Sequence, residues 1–191
     1  MDSVSILGIS GSLRGKSLNR MALLAACELA GARMAITPFE RLGEIPLYNE
    51  DLRERGFPAA VIELREAIAS ADALLVVTPE YNYSVPGVLK NALDWASRPP
   101  QMPLIGKPAA IMGAGPGRGG TLRAQLHLRQ ILTGLNMHVL NRPEVLIREA
   151  EGKFDDQGRL IDGETRSQIR KLLNGLRDWT LVLKSGRASV R

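Results

Sequence analysis

The chain has 191 residues, 45% of them apolar, a formal net charge of +5 and one cysteine. This length and composition suit one globular domain with a full hydrophobic core and exclude collagen, coiled coil and wholesale disorder. Cys27 alone forms no internal disulfide and no cysteine metal cluster, so it reads as a core thiol in a reduced, cytoplasmic protein.

In chain order, apolar periodicity predicts strands at 4–9, 33–37, 73–78, 108–113 and 137–141. Between and after them it predicts helices over 18–30, 59–70, 87–97, 121–135 and 164–183. Several strands are continuous apolar runs, the pattern of a parallel sheet covered on both faces. Alternating strands and helices with right-handed crossovers give a doubly wound α/β domain. Residues 1–183 read as that single domain, with 184–191 as a flexible basic tail. Residues 38–57 and 149–163 are long irregular connections, which in compact domains border active sites or subunit contacts. No apolar run approaches the ~20 residues of a membrane span.

The charge is concentrated in two places. Segments 10–20 and 184–191 contain Arg14, Lys16 and Arg20, and Lys184, Arg187 and Arg191, with no acid in either. The rest of the chain is close to neutral, so the basicity gives little support for a nucleic-acid or membrane partner.

In an open parallel sheet the ligand lies beyond the carboxyl ends of the strands, where strand order reverses. After the first strand come Ser10, Gly11, Ser12, Leu13, Arg14, Gly15, Lys16, Ser17, Leu18 and Asn19. Hydroxyls, cations and flexible glycines just before a helix suit a phosphate, because a helix start offers unpaired N–H groups and positive dipole. Ser17 also suits a plain helix cap. A Walker A loop would need glycine where Ser10 stands, and the third and fourth strands do not end in the Asp that organises magnesium. Gly115 to Gly120 fits G-x-G-x-x-G, but a dinucleotide fold begins with that unit, whereas here it follows the fourth strand. The loop after the third strand, residues 79–87, is rigid and aromatic, and with the phosphate loop it points to a planar heterocycle carrying a phosphate.

Gly11-Ser12-Leu13-Arg14 with Ser17 and Asn19, then Pro79-Glu80-Tyr81-Asn82, then Pro86-Gly87 with Lys90-Asn91-Ala92-Leu93-Asp94-Trp95, resemble the NADPH-dependent FMN reductase family. The resemblance implies a flavodoxin-like, three-layer fold with a five-stranded parallel sheet in the order 2-1-3-4-5. It implies that Ser12, Arg14, Ser17, Leu18 and Asn19 bind the FMN phosphate end, and that Pro79, Glu80, Tyr81 and Asn82 line the flavin ring, largely through backbone groups. Gly113, Ala114 and Gly115 would approach the ring through backbone. The family often has a serine in that last loop and this chain has none, so backbone N–H groups would have to serve.

By the same resemblance, the expected activity is transfer of hydride from NADPH or NADH through FMN to a small-molecule electron acceptor. Quinones, azo compounds, metal oxyanions and free flavin are the candidate acceptors, in a ping-pong cycle, with no catalytic side chain and no metal. The alternative is a flavodoxin-like FMN electron carrier or redox-sensing module that does not turn over NAD(P)H. The resemblance also implies a homodimer or homotetramer, with helix 121–135 and loop 38–57 as candidate contacts. Arg123 and Glu144 are candidates for pairing across subunits, and His127 and His138 read as structural or surface residues.

Overall fold

The sheet is built from Val4–Ser10 (β1), Met34–Pro38 (β2), Ala73–Val77 (β3) and Pro108–Ala114 (β4), with His138–Val139 (β5) and Val145–Ile147 (β6) on one flank. All pairings are parallel, and the order is β2-β1-β3-β4-β5. The computed structural model describes residues 3–188.

Two helical layers explain why the central strands are apolar throughout. Side chains alternate across a strand, so Val4 and Ile6 face one core while Leu7 and Ile9 face the other. In β3 and β4, Leu75, Val77, Ala110 and Met112 face the first core, and Leu74, Val76, Ala109 and Ile111 the second. Leu18–Leu29 (α1) and Gly163–Ala188 (α6) cover the first face; Ala59–Ser70 (α3), Gly87–Ala96 (α4) and Leu122–Gly134 (α5) cover the second. At Gly8 helix α1 packs closely on the sheet, since an added Cβ would lie 2.5 Å from Leu23 Cδ1. Cys27, on α1, is half-buried, and burial pushes its thiol pKa up. Among the described residues no helix is long and apolar enough to cross a membrane.

The structure departs from the sequence reading at the fifth strand. Instead of one strand over 137–141, β5 pairs with Pro108 and Ala109, and β6 pairs with Met112, Gly113 and Ala114. The chain leaves the sheet between them, where Pro143 lacks the N–H a ladder needs. The last helix is also longer than the 164–183 predicted for it. Helix α6 runs on to Ala188 through part of the stretch read as a tail, and Lys184 Nζ lies 2.6 Å from Asp72 Oδ1. Residues 189–191 lie outside the described residues.

The long connection 38–57 contains a 3-10 turn, Leu42–Glu44, and a short helix, Glu50–Glu54 (α2). It is pinned to α4 by the motif read from the sequence as Lys90 to Trp95. Tyr48 N donates to Asn91 Oδ1 at 2.7 Å, while Asn91 Nδ2 and Trp95 Nε1 both donate to Pro46 O at 2.8 Å. Trp95 is fully buried, with the Tyr48 ring edge-on at 4.9 Å. Lys90 and Asp94 form an exposed pair one turn apart, which contributes little beyond helix propensity.

Asn91→Ala leaves the Tyr48 N–H without its partner, while Pro46 O keeps the Trp95 donor, so it should cost about 1–3 kcal/mol in urea unfolding. Hydrogen exchange should show the Tyr48 amide losing protection first, and unchanged protection there would contradict the pinning role.

Candidate functional site

Three strand-end loops meet at the carboxyl edge of β1, β3 and β4. The first leaves β1 through Gly11, whose N–H donates to Val77 O at 2.9 Å. An added Cβ on Gly11 would stand 3.2–3.3 Å from Leu89, Pro79 and Pro86, so a side chain here would press the first loop off the second. The loop closes on Ser17, the N-cap of α1, whose Oγ accepts from Arg20 N at 3.1 Å. Capping uses the Ser17 lone pair and leaves its O–H as a donor. The N–H groups of Leu18 and Asn19, in the first turn, have no helical partner. Ser12 Oγ lies 3.3 Å from the Tyr81 hydroxyl, and Arg14 and Lys16 are exposed with no carboxylate partner among the described residues.

The second loop is a two-residue turn. Tyr81 and Ser84 exchange backbone hydrogen bonds of 3.0 Å each, and Asn82 and Tyr83 between them have φ of 48° and 68°. A turn of this kind favours Asn followed by Gly, and a bulky residue at the second place is strained. The Tyr83 ring is held by the Arg123 guanidinium, 3.8 Å from its centroid.

The same arginine meets Glu80, whose side chain is only 9% exposed. Glu80 Oε2 accepts from the backbone N–H of Arg123 at 2.9 Å and of Ala124 at 3.3 Å, and Oε1 pairs with the Arg123 guanidinium. Burial pushes the Glu80 carboxyl up, but the guanidinium and the two helix-start N–H groups outweigh it and hold the pKa below the usual carboxylate range. The carboxylate thus bolts the loop after β3 to the start of α5.

The third loop is tied to the first by Asn19. Its Nδ2 donates to Ala114 O at 2.9 Å and its Oδ1 accepts from Ala114 N at 2.8 Å, with the side chain buried. The onward chain is held as well, Gly115 N donating to Ile147 O and Ala150 N to Gly115 O. Gly113 is obligatory, because an added Cβ would lie 2.2 Å from Thr78 O.

These loops enclose a cleft of about 300 Å³. It brings together Ser12, Arg14, Ser17, Leu18, Asn19, Pro79, Glu80, Tyr81, Ala114 and Gly115 from the sequence reading, and adds Pro116, Gly117, Gly120 and Arg123. Asn82 and Gly113 do not line it: Asn82 is exposed at the turn and Gly113 is packed beneath the cleft. The side chains of two of these residues hold the loops together. The Asn19 amide is spent on Ala114, and the Glu80 side chain on α5. Within the chain Arg123 engages Glu80, and Glu144 pairs with Arg142. Glu80 and Arg123 stand 43 residues apart, and nothing in local spacing marks them as partners. His127 Nδ1 sits 3.1 Å from Ser84 Oγ on the surface, and His138 lies on β5.

A parallel sheet in the order 2-1-3-4-5, with a hydroxyl- and cation-rich helix start beside a rigid aromatic turn, defines a flavodoxin-like protein shaped to hold a phosphorylated planar cofactor. The comparisons with known proteins specify the class. The profile of the NADPH-dependent FMN reductase family matches residues 4–152. The chain is 55% identical over 183 residues to an NAD(P)H-dependent FMN reductase of Pseudomonas aeruginosa, covering 96% of this chain and 98% of that one. It is 45% identical over 170 residues to a quinone reductase of Escherichia coli K12, covering 88% and 90%. The solved structure of the flavoenzyme NAD(P)H:(acceptor) oxidoreductase FerB from Paracoccus denitrificans superposes with a TM-score of 0.85 at 34% identity, covering 93% of this chain and 97% of that one. The chain belongs to the NADPH-dependent FMN reductase family. It is an oxidoreductase with FMN as cofactor and NAD(P)H as reductant, which decides for the enzyme over the electron carrier.

Glu80→Ala should lower stability by about 2 kcal/mol at pH 7, since it strips charge-assisted bonds from two helix-start N–H groups. Because the folded pKa is depressed, the wild-type advantage is present above the unfolded value of about 4.3 and disappears as pH falls through the folded one. Urea unfolding of both proteins between pH 3 and 7, about the range spanning these values, reads the difference directly; a gap independent of pH would contradict the ionic bolt.

Proposed function

We propose that the cleft holds FMN with its phosphate at the start of α1 and its ring against the turn after β3, and that the enzyme passes electrons from NAD(P)H to a quinone. The observation that carries this reading is the donor set at one end of the cleft. Ser12 and Ser17, the first-turn residues Leu18 and Asn19, and Arg14 line the same cleft, and among the described residues Arg14 forms no ion pair. That set fits a phosphate dianion, with Arg14 as the charge-assisted partner and the helix start supplying fixed dipoles. The Pro79 to Tyr81 segment, rigid by proline and by the closed turn, offers a flat wall for a ring system.

FMN, when bound, supplies the two-electron chemistry, accepting hydride from the nicotinamide and delivering it to the acceptor. The residues of the chain bind and orient. Ser12, Arg14 and Ser17 fix the phosphate; Ala114 and Gly115, immobilised by Asn19 and Ile147, present backbone groups to the ring edge. The N–H groups of Ala114 and Gly115 are already donated, to Asn19 Oδ1 and Ile147 O, so they are not the donors expected at the ring edge, and these residues serve as a fixed backbone wall. No side-chain nucleophile or metal enters the scheme. The acceptor uses the same face of the site as the reductant, which makes the cycle ping-pong. Azo compounds, metal oxyanions and free flavin fit the same open cleft as further acceptors, and the quinone is preferred because the relative from Escherichia coli is a quinone reductase.

A homodimer or homotetramer accompanies this reading. Tyr81, Tyr83, Leu122 and Leu126 are exposed beside the cleft, and their apolar area is what a second copy would cover while closing the cleft to water. Sedimentation that finds only monomer at assay concentration contradicts the assembly.

Anaerobic addition of NADPH to the yellow protein should bleach the flavin absorbance, and addition of a quinone should restore it. An unbleached band sinks the reductase reading. Arg14→Ala should weaken FMN retention about tenfold to a hundredfold, the equivalent of one charge-assisted contact of about 1.5–3 kcal/mol. Flavin fluorescence on dilution measures the loss, and unchanged retention excludes Arg14 from the phosphate site.

A further inference from the structure

A second cavity, of about 360 Å³, opens on the other side of the 10–17 loop, between that loop, α1 and the end of β2. Its walls are apolar, from Leu13, Leu23, Leu24, Phe39 and Leu42. Ser10 lines it, on the face of β1 turned toward α1, and Ser10 Oγ is buried with no hydrogen-bond partner. At its rim Arg20 Nη2 reaches both oxygens of Glu40, at 3.0 and 3.1 Å, with both side chains about half exposed. Ser12 and Arg14 line this cavity and the flavin cleft alike, so the two spaces meet across the loop.

These features describe a ligand with a flat apolar body, a hydrogen-bonding edge and a sugar or phosphate near the rim. A buried hydroxyl without a partner carries a desolvation cost that a ligand edge would relieve. Glu40 stands just past the end of β2, the place where dinucleotide-binding α/β folds carry the acid that takes the adenosine ribose hydroxyl. An exposed ion pair of this kind has little stability of its own to lose when one partner is recruited by a ligand.

We propose that this cavity binds the adenylate half of the nicotinamide dinucleotide, with the base between Leu24 and Phe39, the Ser10 hydroxyl on its edge and Glu40 on the ribose. The inference rests on the reductase reading, since it places the far end of the same reductant whose nicotinamide must reach the flavin cleft. Arg14, between the two spaces, stands where the pyrophosphate passes. The apolar walls contribute by removing the base from water, and the ion pair sets the sugar end.

Calorimetric titration of the FMN-loaded protein with adenosine 5′-monophosphate tests the site without turnover. Wild type should bind it saturably, Leu24→Trp, which fills the cavity from its half-exposed mouth, about tenfold more weakly or worse, and Ser10→Ala several-fold more weakly. All three should retain FMN equally. In anaerobic mixing, the NADH concentration for half-maximal flavin bleaching should rise in Leu24→Trp by the same factor. The corresponding concentration of reduced nicotinamide mononucleotide, which lacks the adenylate, should not change. No monophosphate binding at about 10 mM to a protein that both reductants bleach overturns the cavity assignment alone. Equal weakening of the two reductants in Leu24→Trp also overturns it. A protein bleached by neither reductant overturns the reductase reading and this inference with it.

Discussion

The pair of hydrogen bonds between the Asn19 amide and the backbone of Ala114 is the contact on which the cleft depends. A cofactor cleft at the carboxyl edge of a parallel sheet is made of loops, and loops have no ladder to hold their spacing. Asn19 supplies that spacing by using both ends of one buried amide to satisfy both backbone groups of one residue, so the start of α1 and the end of β4 keep a fixed distance. Losing either partner would leave buried polar groups unpaired, which costs more than the bond contributes when made.

Glu80 solves the corresponding problem for the loop after β3. Its carboxylate satisfies N–H groups that every helix start leaves open, and its partner Arg123 also holds Tyr83 in a left-handed conformation that a bulky residue resists. Strain in the turn and compensation at the helix are therefore parts of one local arrangement. The result is a rigid wall beside the start of α1, and rigidity there matters because electrostatic stabilisation is effective only when its donors need not move.

The net charge has a local meaning. Among the described residues Arg14 and Lys16 have no carboxylate partner, while Arg20 pairs with Glu40 on the far side of the same loop. One short basic loop thus faces two spaces, which fits a protein that must accommodate a bound mononucleotide and a visiting dinucleotide together. The connection 38–57, anchored to α4 through Asn91 and Trp95, supplies the wall of the second space at Phe39 and Leu42.

Much of this was legible in the sequence. Strands β1 to β4, five of the helices, the sheet order and the placement of the phosphate and aromatic loops follow from apolar periodicity, the glycine-serine-arginine loop and the motifs shared with the family, because burial on two faces and capping chemistry are local properties of a segment. The break between β5 and β6 and the passage of α6 beyond residue 183 were not legible, since an edge strand is decided by its neighbour and a helix end by what it packs on. The tasks of Asn19, Glu80 and Arg123 also escaped the sequence, although all three residues were singled out. Their partners lie 95 and 43 residues away, and which hydrogen bonds such side chains make is set only when the chain closes and each buried donor must find an acceptor. Local sequence carried the fold and the class of ligand; only closure of the chain settled which residues line the cleft and which hold its loops, because those partners are far apart in sequence.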